Sequence, residues 1–177
     1  MFETPEELAR LQALLDASHA RATEHLRGII HDDRTLSATH VTGLLTGMKV
    51  ITAATVTAAG EPRISAMDGH FLHGTWTFST SRSSAKARHL AQRPAVSVAH
   101  VDGEALAVFS HGRVVELAGE ELAQVDAHWT SHYGSSPLTW GDTVMMRIRP
   151  TWMVGYAFKR SDTLARRGVP EEPRPLR

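Results

Sequence analysis

From Lys49 to Phe158 the chain strings together β-branched runs separated by tight turns, with too few helices between them to build a parallel sheet. Val50-Ile51-Thr52-Ala53-Ala54-Thr55-Val56-Thr57 is a compact strand pattern, and Ala59-Gly60-Glu61-Pro62 reads as a turn. Arg63-Ile64-Ser65-Ala66-Met67 is then the return strand of a hairpin, Asp68-Gly69 a second turn, and Thr75–Thr80 a third strand. A helix over Ser83–Gln92, stopped by Pro94, leads to strands at Val96–Val101 and Leu106–Leu117. A second helix spans about Glu120–His132, and strands at Thr143–Arg149 and Trp152–Phe158 finish the pattern. A doubly wound α/β sheet needs a crossover helix after nearly every strand. The expected fold is therefore mainly β, a small antiparallel barrel with flanking helices.

The residues before this region read differently. Thr4-Pro5-Glu6-Glu7 is a helix start with a capping residue, a proline suited to the first turn and a carboxylate in capping-box position. Leu8, Leu11, Leu15, Ala22, Leu26 and Ile29 follow at three- and four-residue steps, which predicts one amphipathic helix running to about Ile30. Asp32-Asp33 breaks it, and a shorter helical piece is expected at Ser37–Leu45. The division expected is one domain over residues 1–158, with a helical extension at 1–45 and the barrel at 49–158. Residues 159–177, with Arg166-Arg167 and three prolines, form a tail too polar to pack.

Composition removes several classes of function. Lys plus Arg and Asp plus Glu number 19 each, so no overall charge attracts nucleic acid or an anionic membrane. The absence of cysteine excludes thiolate nucleophiles, disulfides and Cys-ligated metals. The acidic start Met-Phe-Glu-Thr-Pro-Glu-Glu is unlike a secretory signal, and no apolar run approaches the roughly 20 residues that cross a bilayer. A cytoplasmic protein with no membrane or nucleic-acid partner is the expectation. Any phosphate held here needs a local cluster.

Such a cluster is present. No Gly-rich phosphate loop of either common type occurs. Instead a strand end runs into a helix start, where Ser79, Thr80, Ser81 and Ser84 offer hydroxyls, the helix offers free N–H groups and Lys86 offers a charge. Arg63, on a neighbouring strand, can fork onto the same anion. A Ser/Thr-rich strand end before a helix is also an ordinary capping region.

The ordered set of segments carries a resemblance. Ala54-Thr55-Val56-Thr57 with Gly60-Glu61-Pro62-Arg63-Ile64-Ser65 comes first, followed by Phe78-Ser79-Thr80-Ser81 and Ser84-Ala85-Lys86-Ala87-Arg88-His89-Leu90. Arg93-Pro94-Ala95-Val96-Ser97-Val98 and Gly112-Arg113-Val114-Val115 complete it. Over about 70 residues the chain resembles the pyridoxamine 5′-phosphate oxidase-like family, which includes flavin and deazaflavin oxidoreductases. The resemblance implies a split β-barrel of the FMN-binding type. It implies a homodimer with FMN, or alternatively the deazaflavin coenzyme F420, in a groove between subunits. Arg63, Ile64, Ser65 and Ala66 would line the cofactor, and Thr80 and Lys86 would hold its phosphate. Hydride would pass between the ring and a small organic substrate. A non-catalytic flavin or haem carrier is the competing class. Ala85 stands where the vitamin B6 oxidases have a second basic residue, and Ala107 where they have a flavin-contacting Gln. Their C-terminal Arg/His signature is absent. These departures point away from pyridoxamine phosphate as substrate and toward the reductases.

No carboxylate–His pair stands out as a catalytic acid or base. His128 and His132 lie four apart on a predicted helix and could share a ligand, but Trp129 occupies the position where the zincin pattern has Glu. A structural role and no metal is the expectation for this pair. Trp76, Trp129, Trp140 and Trp152 are expected mostly in the core, with one of the later ones beside the cofactor ring from the partner subunit.

Overall fold

In a computed structural model, which describes residues 2–171, the barrel is built from six antiparallel strands. These are β1 (Met48–Val56), β2 (Pro62–Leu72), β3 (Thr75–Ser81), β4 (Ala95–Asp102), β5 (Leu106–Glu116) and β6 (Thr143–Ala157). They close in the order β1-β2-β3-β6-β5-β4. Helices α1 (Pro5–Ala20), α2 (Glu24–Ile29), α3 (Ala38–Leu44), α4 (Ala85–Gln92), α5 (Gly119–Tyr133) and α6 (Arg160–Arg166) flank it. No helix among the described residues is long and apolar enough to cross a membrane. The core contains Ile51, Ala53, Trp76, Phe78, Val98, Val108 and Met153, all essentially inaccessible to solvent. A smaller cluster of Leu72, Leu117, Val125, Trp129 and Met145 lies under α5.

The N-terminal capping box forms as its residues dictate, with Thr4 accepting from the Glu7 N–H and Glu7 accepting from the Thr4 N–H. Leu11 and Leu15 are buried on α1, and the Ser18 hydroxyl, fully buried, accepts from Met153 N–H at 2.9 Å and so fastens α1 to β6. The helix does not continue to Ile30. Thr23 takes an extended conformation and caps α2 by accepting from Leu26 N–H, a local bond that competes with helix propagation.

Two other expectations are corrected by glycine. Asp68-Gly69 is no turn: β2 runs straight through, with Gly69 paired to Phe78. A Cβ at Gly69 would stand 2.7 Å from Ile51 Cδ1, so this glycine serves close packing. The chain reverses at His73-Gly74, both at positive φ, in the manner of a two-residue hairpin. Likewise, Thr143–Ala157 is one strand of 15 residues, where two were expected. Pro150 is accommodated opposite Gly112 at a register shift that sets in after His111. Proline cannot donate to a ladder, and a bulge removes the need.

The tail also departs from expectation in its described part. Leu164 and Val169 are buried, Val169 against Gly43 of α3. Arg160 donates to the Asp32 and Thr35 carbonyls, each at 2.9 Å. Two apolar residues five apart show no periodicity, and a guanidinium that collects carbonyls looks merely polar in sequence. Residues 172–177 of the expected tail lie outside the described residues.

Candidate functional site

The ladders define an opening in the barrel wall. β2 pairs with β3 only from Gly69 to Leu72, while β3 beyond Phe78 pairs only with β6. β2 from Pro62 to Asp68 pairs only with β1. The two strands therefore part, leaving Arg63–Asp68 on one side and Ser79–Ser81 on the other, with the start of α4 directly after β3.

At the β3–α4 corner two of the four predicted hydroxyls meet, those of Thr80 and Ser84. Thr80 Oγ1 lies 3.1 Å from Ser84 Oγ, and Lys86 Nζ donates to Thr80 Oγ1 at 3.4 Å. Ser84 is the N-cap of α4 and accepts from Ala87 N–H. The N–H groups of Ala85 and Lys86 have no intrahelical partner at this helix start. Ser81 is drawn aside to Ser83, with Oγ–Oγ 2.8 Å, and Ser79 is half-buried on β3. Lys86 forms no ion pair among the described residues, so its cation is met only by a hydroxyl.

Arg63 is placed differently from the direct approach expected. Its guanidinium pairs with Glu61 at 2.6 Å and both side chains are exposed. It lies opposite Thr55 in the register, and Thr55 Oγ1 meets His89 Nδ1 of α4 at 3.0 Å. Arg63 and Ser65 thus share the face of the β1–β2 ribbon on which α4 sits, whereas Ile64 and Ala66 point to the other face, as the two-residue period of a strand requires. The run 63–66 cannot present all four side chains to one ligand. Its backbone edge toward the opening can.

A second constellation was not legible in the sequence. His70, buried on β2, contacts His128 through Nδ1–Nε2 at 3.1 Å, and its Nε2 lies 3.4 Å from the Tyr133 hydroxyl. Tyr133 donates to Asp68 Oδ2 at 3.1 Å. One tautomer assignment satisfies all three bonds, with both histidines carrying their proton on Nε2. The His132 ring packs on His70 at 4.9 Å between centroids. His128 and His132 are thus engaged with His70 rather than with each other alone. Burial, then the charges of His128 and His132, push His70 down to about 4, and burial and the Asp68 carboxylate push Tyr133 up to about 12. Only contacts between elements 58 and 63 residues apart create this group, so no spacing announces it.

This arrangement carries an expected pH dependence. Unfolded histidine takes up a proton near pH 6.5, whereas folded His70 resists it until about 4. The unfolded state therefore binds more protons in that window, and stability falls as pH drops from 6.5 toward 4. Urea midpoints measured across this range should decline with acid, and His70→Gln should flatten the decline. An unchanged slope in the variant would remove His70 from the account.

Of the tryptophans, Trp76 and Trp129 are core residues, Trp152 stacks on His111 at 4.6 Å, and Trp140 is about half exposed beside Tyr133. Ala85 is exposed at the first turn of α4 and Ala107 is buried on β5.

Comparison with known proteins agrees with this architecture. No curated protein sequence matches. Many solved structures are similar, among them three with the following likeness to this chain. A conserved hypothetical protein from Mycobacterium tuberculosis shares 21% identity with a TM-score of 0.62, covering 81% of this chain and 94% of that one. An F420 reductase shares 22% identity with a TM-score of 0.51, covering 62% of this chain and 92% of that one. A protein of unknown function from Agrobacterium tumefaciens shares 20% identity with a TM-score of 0.57, covering 66% of this chain, which spans only 54% of that one. At these identities the likeness concerns the fold. The family model described as pyridoxamine 5′-phosphate oxidase matches residues 38–155, which takes in every strand but the last two residues of β6. The chain belongs to the pyridoxamine 5′-phosphate oxidase family.

Proposed function

We propose that the chain is an oxidoreductase that binds FMN, or alternatively the deazaflavin coenzyme F420, at the opening between β2 and β3 and acts on a small organic substrate. The observation that carries this reading is the meeting of Thr80, Ser84 and Lys86 at the free N–H groups of α4. An unneutralised lysine among hydroxyls at a helix start suits a phosphate monoester. Arg63 joins it by exchanging Glu61 for the phosphate. The unpaired backbone edge of β2 at Ser65–Asp68 supplies N–H and C=O groups for the polar rim of a planar ring. When bound, the ring supplies hydride transfer, and the protein orients it and shields one face. The fold similarity to an F420 reductase supports the deazaflavin alternative. Absorbance and mass of the small molecule that co-purifies, followed by turnover assays with the reduced cofactor, test the proposal. Recovery of haem with no turnover would favour the carrier class.

We also propose a homodimer formed by the outer face of β2-β1-β4-β5. Strand alternation sets Ile64, Val50, Val101 and Phe109 on this face, at 75%, 56%, 56% and 37% exposure, with the small residues Ala54, Ala66 and Ala99 between them. Thr52, Asp68 and Ser97 share this face, but large apolar side chains exposed together are normally covered, and a symmetric second copy covers both sets at once. Light scattering at micromolar concentration should give twice the 19.4 kDa chain mass, and Val50→Glu should shift it toward the monomer. A wild-type protein of 19.4 kDa alone would rule the dimer out.

A further inference from the structure

A cavity of about 490 Å³ lies between α1, α5 and β6, away from the β2–β3 opening. It touches β3 at Thr75, five residues from Thr80, or roughly 17 Å along the strand. Its walls bring together Arg10 of α1 and Arg147 and Arg149 of β6. Two glutamates, Glu7 and Glu121, line it as well, so the arginines outnumber the carboxylates by one.

The carboxylates in the same cavity are already committed. Glu7 accepts from Thr4 N–H at 2.9 Å and pairs with His73 at 3.1 Å. Glu121 stands 2.8 Å from Arg147 Nε, an ion pair without hydrogen-bond alignment, so the buried Arg147 N–H finds no acceptor. Arg10 and Arg149 make neither a hydrogen bond nor an ion pair among the described residues. Exposed guanidinium forks with no partner among the described residues can grip a carboxylate through two bonds at once. The remaining wall sets the apolar Leu11, Leu14 and Pro150 beside the polar His73, Thr75 and Gln124. The volume falls within the range of small-molecule sites.

We propose that this cavity is a binding site for a small organic acid, its carboxylate held by Arg149, Arg10 and Arg147 and its apolar body resting on Leu14 and Pro150. The site requires no cofactor and stands or falls separately from the oxidoreductase reading.

The test is a titration of the full chain with benzoate and with hexanoate, followed by the arginine Nε–H and backbone amide resonances. Benzyl alcohol and sodium chloride at matched ionic strength serve as controls. Saturable shifts at Arg10, Arg147 and Arg149 are expected with both acids and with neither control. Arg149→Gln should weaken benzoate by at least about tenfold, as loss of a charge-assisted bond does. Arg113→Gln, which removes an exposed arginine paired with Arg149 across the β5–β6 ladder but outside the cavity, should change it less than about twofold. Shifts that fail to saturate, that chloride reproduces, or that fall equally in both variants would overturn the proposal.

Discussion

Replacing Lys86 with alanine is expected to weaken FMN binding by about ten- to a hundredfold, the worth of one charge-assisted bond of roughly 1.5–3 kcal/mol. Lys86 is suited to this because nothing among the described residues neutralises it: there its Nζ meets only Thr80 Oγ1, at 3.4 Å. Riboflavin, which has no phosphate, should bind the wild type poorly and be almost indifferent to the substitution. Arg63→Ala should cost less than Lys86→Ala, because Arg63 must first leave Glu61. The double variant should depart from additivity if both cations share one phosphate. Fluorescence titrations of both ligands on each protein give the answer. Equal losses for FMN and riboflavin would mean that Lys86 supports the fold, and the phosphate assignment would be withdrawn.

The second large effect concerns stability. Gly112→Ala would put a Cβ 2.3 Å from the Arg149 carbonyl oxygen and 2.8 Å from Pro150 Cα. Both obstacles are backbone, so neither side can yield without disturbing the β5–β6 ladder at its bulge. Overpacking against backbone at a site this central should cost about 3 kcal/mol or more, lowering Tm by about 10 °C for a chain of this length. Gly28→Ala is the contrasting case. Its added Cβ meets nothing within 4 Å in α2, and alanine's better helix propensity should leave stability equal or slightly higher. Thermal unfolding of the two variants side by side decides it, and an unchanged Tm for Gly112→Ala would sink the packing account.

Legibility in the sequence follows whether an element's cause is local. β1 and β3 were readable because β-branched and aromatic residues dominate them and turn residues bound them. The capping box at Thr4 and the Ser84 cap were readable because capping is chemistry between residues three apart. Gly69 and Pro150 look like breaks in the sequence because such residues usually end a strand. Each is tolerated by a contact with another strand, Gly69 by Ile51 and Pro150 by the bulge at Gly112. The Thr80–Ser84–Lys86 corner could be found because one strand end and the following helix supply all of it. His70, Tyr133 and Asp68 could not, since two elements far apart in the chain, β2 and α5, build that group. The pairing of Arg63 with Glu61, two residues away, was open to the sequence yet is visible only once the turn at Ala59–Glu61 fixes both side chains.

The parting of β2 from β3 has a consequence for how this protein survives in a crowded solution. A closed barrel has no free strand edge to recruit a foreign chain, but the Pro62–Asp68 stretch of β2 reinstates one. Three of its residues work against sticky self-association: Pro62 cannot donate to an incoming strand, and Arg63 and Asp68 bring charge to both ends. Between them only Ile64–Met67 offers bare, uncharged backbone, enough for a flat ring and too short for a stable intermolecular ladder.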